Sequence, residues 1–326
     1  MKQLSAEAFC EIRTWIYRNA RPLDLAIWQW NFENGSREQV VRMLSFYQNE
    51  DGGFGHAVEP DSWNPNSSPY STLIVIGLLR GMDVTDRSHP LVDGIFRYLD
   101  SSSRGSEDGW MFSIPSNDEY AHAPWWTYSE ASNALQNMGI TAGICAFILR
   151  YGDRQSELYA RAMGYVDRIL EHVNHTGDFG EMGAGSLGIL AMDIEAAGLS
   201  SRFDVSSVRE MLPALINRTI ERDQDKWELY TPRPSEFIWS PDSCYYPGNE
   251  AIVEAELDYL IDTRTPGGVW NITWTWFDLG EAYPKEFAIS ENWWKAFKAM
   301  EKLRFLGAFG RILRPAGGDG VRQTFI

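Results

Sequence analysis

The sequence predicts an all-α protein built from a repeated unit of helix, turn and helix. Three observations carry this. Several segments have helical periodicity, glycine turns followed by an aromatic residue recur behind them, and the segments beyond the turns are apolar and rich in small residues. Self-similar units of this kind are the signature of a repeat architecture.

The first turn is the fullest. Tyr47-Gln48-Asn49-Glu50-Asp51-Gly52-Gly53-Phe54-Gly55-His56 follows an amphipathic run at residues 38–46 and precedes a nearly all-apolar run at 71–79. Gly52-Gly53 prescribes a turn that only glycine adopts cheaply, leaving Phe54 to pack beneath it. Weaker copies follow: Asp108-Gly109-Trp110 after residues 91–99, Gly177-Asp178-Phe179-Gly180 after 157–170, and Pro266-Gly267-Gly268-Val269-Trp270 after 252–261. Their spacing is uneven, so insertions separate some turns from the next helix. The helical segments are of two kinds. Residues 156–171, 206–221 and 249–262 are amphipathic and charged, as an outer layer requires. Residues 71–82, 141–148 and 184–197 are apolar and rich in small residues, as helices of a buried inner layer require.

The Gln-x-x-Asp-Gly-Gly-Phe-Gly run at residues 48–55 resembles the Gln/Gly/aromatic repeat of the terpenoid cyclases and of the catalytic subunits of protein prenyltransferases. In those families the turn joins an outer to an inner helix of an α/α toroid. The resemblance therefore implies a barrel of about 5–6 helical hairpins. No linker rich in Pro, Gly or Ser divides the chain, so a single domain over residues 1–311 is expected, followed by a Gly-rich tail at 312–326. The outer-to-inner connections at 56–69, 111–139 and 271–290 should crowd one rim. The inner helices would point their N-termini there, making a floor suited to an anion.

The catalytic motifs of these families do not carry over. There is no Asp-x-Asp-Asp run and no Asp-Asp-rich magnesium site; Met192-Asp193-Ile194-Glu195 is the nearest acidic pair on an inner helix. Prenyltransferases bind zinc through an Asp-x-Cys pair and a later His. Asp242 and Cys244 match the pair, but all five histidines (His56, His89, His122, His172 and His175) lie upstream. No cofactor is predicted. Magnesium or zinc is implied by the resemblance alone, with Asp242 and Cys244 as the weak metal candidates.

Composition narrows the function. A formal charge of −16 opposes binding to nucleic acid or to an anionic membrane surface, both of which need clustered cations. No apolar run reaches the ~18 residues of a membrane span, and the N-terminus lacks the pattern of a signal peptide. Cys10, Cys145 and Cys244 are odd in number and without paired spacing, which reads as reduced thiols in a cytoplasm. Fourteen Trp and 13% aromatic residues are many for a helical protein, and several fall in the expected loops. Such loops stack on sugars, cover an apolar ligand or stabilise a cation.

Three loops hold the candidate residues. The first offers His56, Glu59, Asp61 and Trp63, stiffened by Pro60 and Pro65. Glu59 or Asp61 would serve as a general acid if burial raises its pKa; the plain alternative is a loop whose acids cap the next helix. The second offers Tyr120, His122, Trp125, Trp126 and Tyr128. His122 is a candidate acid, base or donor and the indoles a cavity wall, or else an aromatic plug. The third, Trp270-Asn271-Ile272-Thr273-Trp274-Thr275-Trp276, alternates as an extended segment would, placing Trp270, Trp274 and Trp276 on one face.

Two enzyme readings follow, with a non-catalytic binding protein as a third. In one, a terpenoid-cyclase-like enzyme holds an apolar or prenyl ligand among Trp125, Trp126 and Trp274. Glu59 or Asp61, helped by His56 or His122, donates the starting proton, and aromatic faces stabilise the carbocation. In the other, a carbohydrate-active hydrolase or lyase stacks sugars on Trp and uses paired carboxylates.

Overall fold

The structure, a computed structural model, describes residues 1–101, 105–106, 109–180 and 183–313. Those residues are mostly helical, with 12 α-helices and one short strand pair, so the all-α expectation is met. No helix among them is long and apolar enough to cross a membrane. The chain forms two compact units. Of the described residues, one unit comprises 1–46 and 216–313; the other comprises those within 47–215.

The first unit opens with α1 (Ala6–Asn19), α2 (Pro22–Phe32) and α3 (Arg37–Leu44). Ser5 caps α1 by accepting from the Ala8 N–H at 3.1 Å, and Ser36 caps α3 by accepting from Gln39. Phe9, Trp28 and Phe32 pack ring on ring, with centroids 4.6–6.3 Å apart.

The second unit holds α4 (Pro69–Gly81), α5 (Pro90–Asp100), the antiparallel pair β1 (Gly105–Ser106) and β2 (Gly109–Trp110), α6 (Glu130–Tyr151), α7 (Glu157–Thr176) and α8 (Gly183–Ala196). Ser68, Ser129 and Ser156 cap α4, α6 and α7. Pro69 follows its cap at the first helical position, where its missing N–H costs nothing. Gly177, at φ 65°, closes α7 in the left-handed conformation. The chain then passes through α9 (Ser206–Thr219) to α10 (Glu250–Thr263), α11 (Phe277–Ala282) and α12 (Pro284–Ala308) of the first unit. Residues 2–4 and 311–313 are tied together there. Leu4 pairs with Ile312 in parallel, and buried Arg311 donates to the Lys2 carbonyl and to Asp258 at 2.8 Å while also pairing with Glu254. Ile312 and Leu313, expected in the tail, are thus part of this seam; residues 314–326 lie outside the described ones.

The glycine turns are built in detail. Asn49, Gly52 and Gly53 close the first with backbone bonds of 2.9 Å, and the Asp51 carboxylate accepts from the Gly53 N–H. Gln48 reaches across to the carbonyls of Gly52 and Leu91. Phe54 is fully buried, and its N–H donates to Thr72 Oγ1 on α4. The second turn repeats this pattern: buried Trp110 donates its N–H to Thr141 Oγ1 on α6, at 3.0 Å. Asp108 of that turn lies outside the described residues.

Two expected loops are shorter than the pattern implied. The second ends at Ser129, whose hydroxyl caps a helix starting at Glu130, so residues 130–139 are helical. The third is interrupted by α11 and by the Pro284 start of α12, so most of residues 277–290 are helical as well. In both, a cap or a proline sets the helix start ahead of the apolar stretch that marked it in the sequence.

Gly52 has φ 92°, and a Cβ there would lie 2.0 Å from the Gly94 carbonyl oxygen of α5. Gly52→Ala should therefore cost about 3 kcal/mol or more in denaturant unfolding. Gly185→Ala, where a Cβ meets nothing within 4 Å, should be neutral or stabilising by up to ~1 kcal/mol. Equal effects at the two sites would contradict this account of the turn.

Candidate functional site

The candidate acids sit in a loop that the second unit has folded inward. After Gly55 the chain takes two consecutive left-handed residues, His56 and Ala57, both at φ 57°. This conformation is costly for non-glycine residues and persists only where surroundings impose it. Here the His56 N–H donates to the Asn64 carbonyl at 2.9 Å, and Nε2 lies 2.8 Å from Asn49 Oδ1. His56 itself stays exposed, whereas Glu59 and Asp61 are only 3% and 1% exposed. Charged side chains are rarely buried so fully without partners, and both of these are engaged in further interactions.

The second loop pairs with the first. The Trp63 N–H donates to the Ala121 carbonyl at 2.9 Å, the Ala123 N–H to the Asp61 carbonyl at 2.8 Å, and Ser62 and His122 form an antiparallel bridge. This places Asp61 and His122, 61 positions apart in sequence, on neighbouring extended segments. The His122 ring is buried. Its Nδ1 lies 2.6 Å from the Tyr120 carbonyl, which can only accept, so Nδ1 carries a proton. In the neutral ring Nε2 then accepts from Thr127 Oγ1 at 3.0 Å. Asp118 Oδ1 stands 4.0 Å from Nε2 and accepts from the Tyr128 N–H.

Buried amides hold the two loops together. Asn64 donates to Ser116 Oγ and to Asn117 Oδ1 at 2.9 and 2.8 Å, and Asn117 donates to the Trp126 carbonyl. Asn133 of α6 takes the N–H groups of Phe112 and Ser113 and returns a donor to the Ser113 carbonyl. A buried loop has backbone groups with no water to satisfy them, and these side chains supply the missing partners.

The candidate aromatics divide. Trp126 is buried against Phe112 (4.7 Å between centroids) and Tyr70 of α4 (4.4 Å), as a plug would be. Trp63, Tyr120, Trp125 and Tyr128 remain partly exposed. Beyond the plug, the inner-type helices are not covered all round. On α4, Tyr70, Leu73, Ile74 and Gly77 share one face and are all half-open. On α8, half-open Gly188 and Ile189 share a face with exposed Gly185 and with Met192, which is 57% exposed. At Gly143 of α6, a Cβ would meet Leu73 at 3.0 Å and Ser186 at 3.4 Å, so α4 and α8 converge over that residue. Two apolar stripes left open beside each other are unusual for a helix type otherwise suited to full burial.

No protein-family model, curated protein or solved structure matches the chain. Function must therefore be argued from the residues and from the likeness of the turn.

The remaining candidates belong to the first unit. Trp270 and Trp276 are buried and Trp274 is half-open, so the three are not equivalent, and residues 270–276 form no strand ladder. Trp270 donates to the Leu260 carbonyl, while Trp274 stands edge-on to Tyr230 and to Trp294. Asp242 and Cys244 are both exposed, and no group of three metal-binding side chains occurs among the described residues.

One residue of this unit escaped the sequence reading. Lys302 of α12 is 9% exposed, with Nζ 5.2 Å from the Trp270 ring centroid. Burial, then Arg233 and Lys298, pull its pKa down to about 7. In an amphipathic helix a single Lys carries little mark of this, because the two largest causes, burial and Arg233, come from outside the helix. The folded protein thus disfavours a charge that the unfolded chain carries up to the ordinary lysine value of 10.5. Lys302 therefore imposes no penalty above that pH and its full penalty below about 7. Lys302→Met should be more stable than wild type by on the order of a few kcal/mol at pH 6, with the gain shrinking between pH 7 and 10.5. A gain independent of pH would rule out titration as its source.

Proposed function

We propose that the chain is a terpenoid-cyclase-like protein that takes an apolar, prenyl-type ligand onto the open stripes of α4 and α8. The α/α toroid implied by its glycine turns would be the frame. The observation that carries this reading is the pairing of an uncovered apolar wall with a buried acid loop. The loop bearing Glu59 and Asp61 runs into the Ser68 cap of α4, and its pairing partner, residues 121–123, leads to Trp126 on Tyr70 at the head of the stripe. On this reading Asp61 or Glu59 supplies the starting proton, with His122 positioned by Tyr120 and Thr127 on the neighbouring segment. Tyr70 and Trp126 offer π-faces to a developing cation. No metal or cofactor is assigned a role.

A carbohydrate-active enzyme is the second reading. It draws on Trp63 and Trp125, which stay partly exposed on the two acid-bearing loops and are suited to stacking on sugar rings. A non-catalytic binding protein would use the same stripe without needing the acids.

Organic extraction and native mass spectrometry of the purified protein separate these. The first reading expects a retained prenyl or terpenoid molecule, or thermal stabilisation by farnesol or farnesyl diphosphate. Gly77 faces open space, so Gly77→Phe should abolish that stabilisation while changing unfolding free energy by less than ~1 kcal/mol. Asp61→Asn and Glu59→Gln should retain ligand, and one of them should lose at least tenfold in turnover. Stabilisation by oligosaccharides and not by prenyl compounds would transfer the assignment to the second reading.

A further inference from the structure

The surroundings of Lys302 point to chemistry of a different kind, on residues that the apolar-ligand reading does not use. Buried lysines are ordinarily paired with a carboxylate. The charged groups facing Lys302 are Arg233, which precedes the short turn Pro234–Glu236, Glu256 of α10, and Lys298 and Glu301 on α12 itself. Both carboxylates are already committed. Glu256 accepts from the Ser235 N–H and Oγ at 2.7 and 2.6 Å and stands 3.7 Å from Arg233 Nε. Glu301 pairs with Lys298 at 2.8 Å. Lys302 makes no hydrogen bond or ion pair with another described residue. Its amine is left with two cations for neighbours, two carboxylates that are each paired elsewhere, and an indole face beside it.

We propose that Lys302 is a nucleophilic amine that captures an apolar aldehyde as an imine. Desolvation together with a neighbouring cation favours the neutral amine at ordinary pH. The Nζ lone pair attacks the carbonyl carbon, and the C=O π electrons move to oxygen. A proton passes from nitrogen to oxygen to give a carbinolamine. Loss of water then forms C=N, so that aldehyde and amine become imine and water with no change of oxidation state. The Trp270 face, 5.2 Å from Nζ, is placed to stabilise the imine's protonated form as it now meets the ammonium. The absence of a free counter-ion favours an uncharged, apolar or aromatic aldehyde.

Reductive trapping tests this on the full chain. The protein is incubated with benzaldehyde and sodium cyanoborohydride at pH 7, and modified peptides are mapped by mass spectrometry. The chain has only six lysines, at positions 2, 226, 285, 295, 298 and 302, so each can be followed. Lys302 should be modified at least tenfold faster than Lys2 or Lys285, with a rate that falls as pH drops through about 7. Lys298→Met, which removes one neighbouring cation, should slow modification of Lys302 at pH 7. Lys302→Arg should abolish the fast phase while keeping a charge at the site, and Lys302→Met serves the same purpose if the Arg variant is poorly folded. If Lys302 is instead the slowest lysine to react, it is merely a buried side chain and the proposal is overturned. Modification spread evenly over the exposed lysines overturns it equally.

Discussion

Two threonine hydroxyls set the layout of the second unit. Thr72 and Thr141 each take the backbone N–H of the aromatic residue that follows a glycine turn, at 3.2 and 3.0 Å. The turn presses its chain so close to the next helix that no side chain fits: a Cβ on Gly109 would lie 2.0 Å from Thr141 Oγ1. At that separation the N–H has no access to water, and a buried donor without a partner costs about 1–3 kcal/mol. The hydroxyl removes that cost and pins the turn to one level of the helix. Everything inserted between turn and helix must then leave and return through two fixed points, which is why the two long loops meet.

Meeting has its own requirement. Loops usually lie on the surface because their backbone needs water. Here most of residues 54–68 and the stretches 112–114 and 121–123 are buried, and side-chain amides do the work that a sheet ladder would do elsewhere. Asn64, Asn117 and Asn133 each satisfy a partner that solvent cannot reach. The buried acids are an outcome of this arrangement: Glu59 and Asp61 are held inside because the loop carrying them is held on both sides.

Much of the frame was legible from the residues. Serines ahead of amphipathic runs marked helix starts, and Asp-Gly-Gly-Phe marked a turn, because both signals act within a few positions. The second loop reads as running to residue 139 because residues 130–139 are polar enough to pass for loop, with Glu130 as a helix start only in the alternative reading, and the Ser129 cap decides for that start. The candidate site was legible only in part. That Glu59 and Asp61 share a loop could be read; that Asp61 would pair with Ala123 could not, since nothing local encodes a pairing across sixty residues. Trp125 and Trp126 look alike in sequence, yet one is half-open and the other is sealed by Tyr70 and Phe112. Lys302 depends first on burial and on Arg233, far off in the sequence, and only then on Lys298 one turn before it.

The seam that joins Leu4 to Ile312 bears on the order in which the protein can be made. The first unit is assembled from both ends of the chain, and the second from one continuous stretch, residues 47–215. A ribosome releases the N-terminal end first. The second unit can complete its contacts while synthesis continues. Helices α1 and α2 emerge well before their α12 partner, with apolar faces such as Phe9, Ile12 and Ile16 uncovered in the interval. Within the first unit, α1 and α2 are therefore the helices that most need shelter during synthesis.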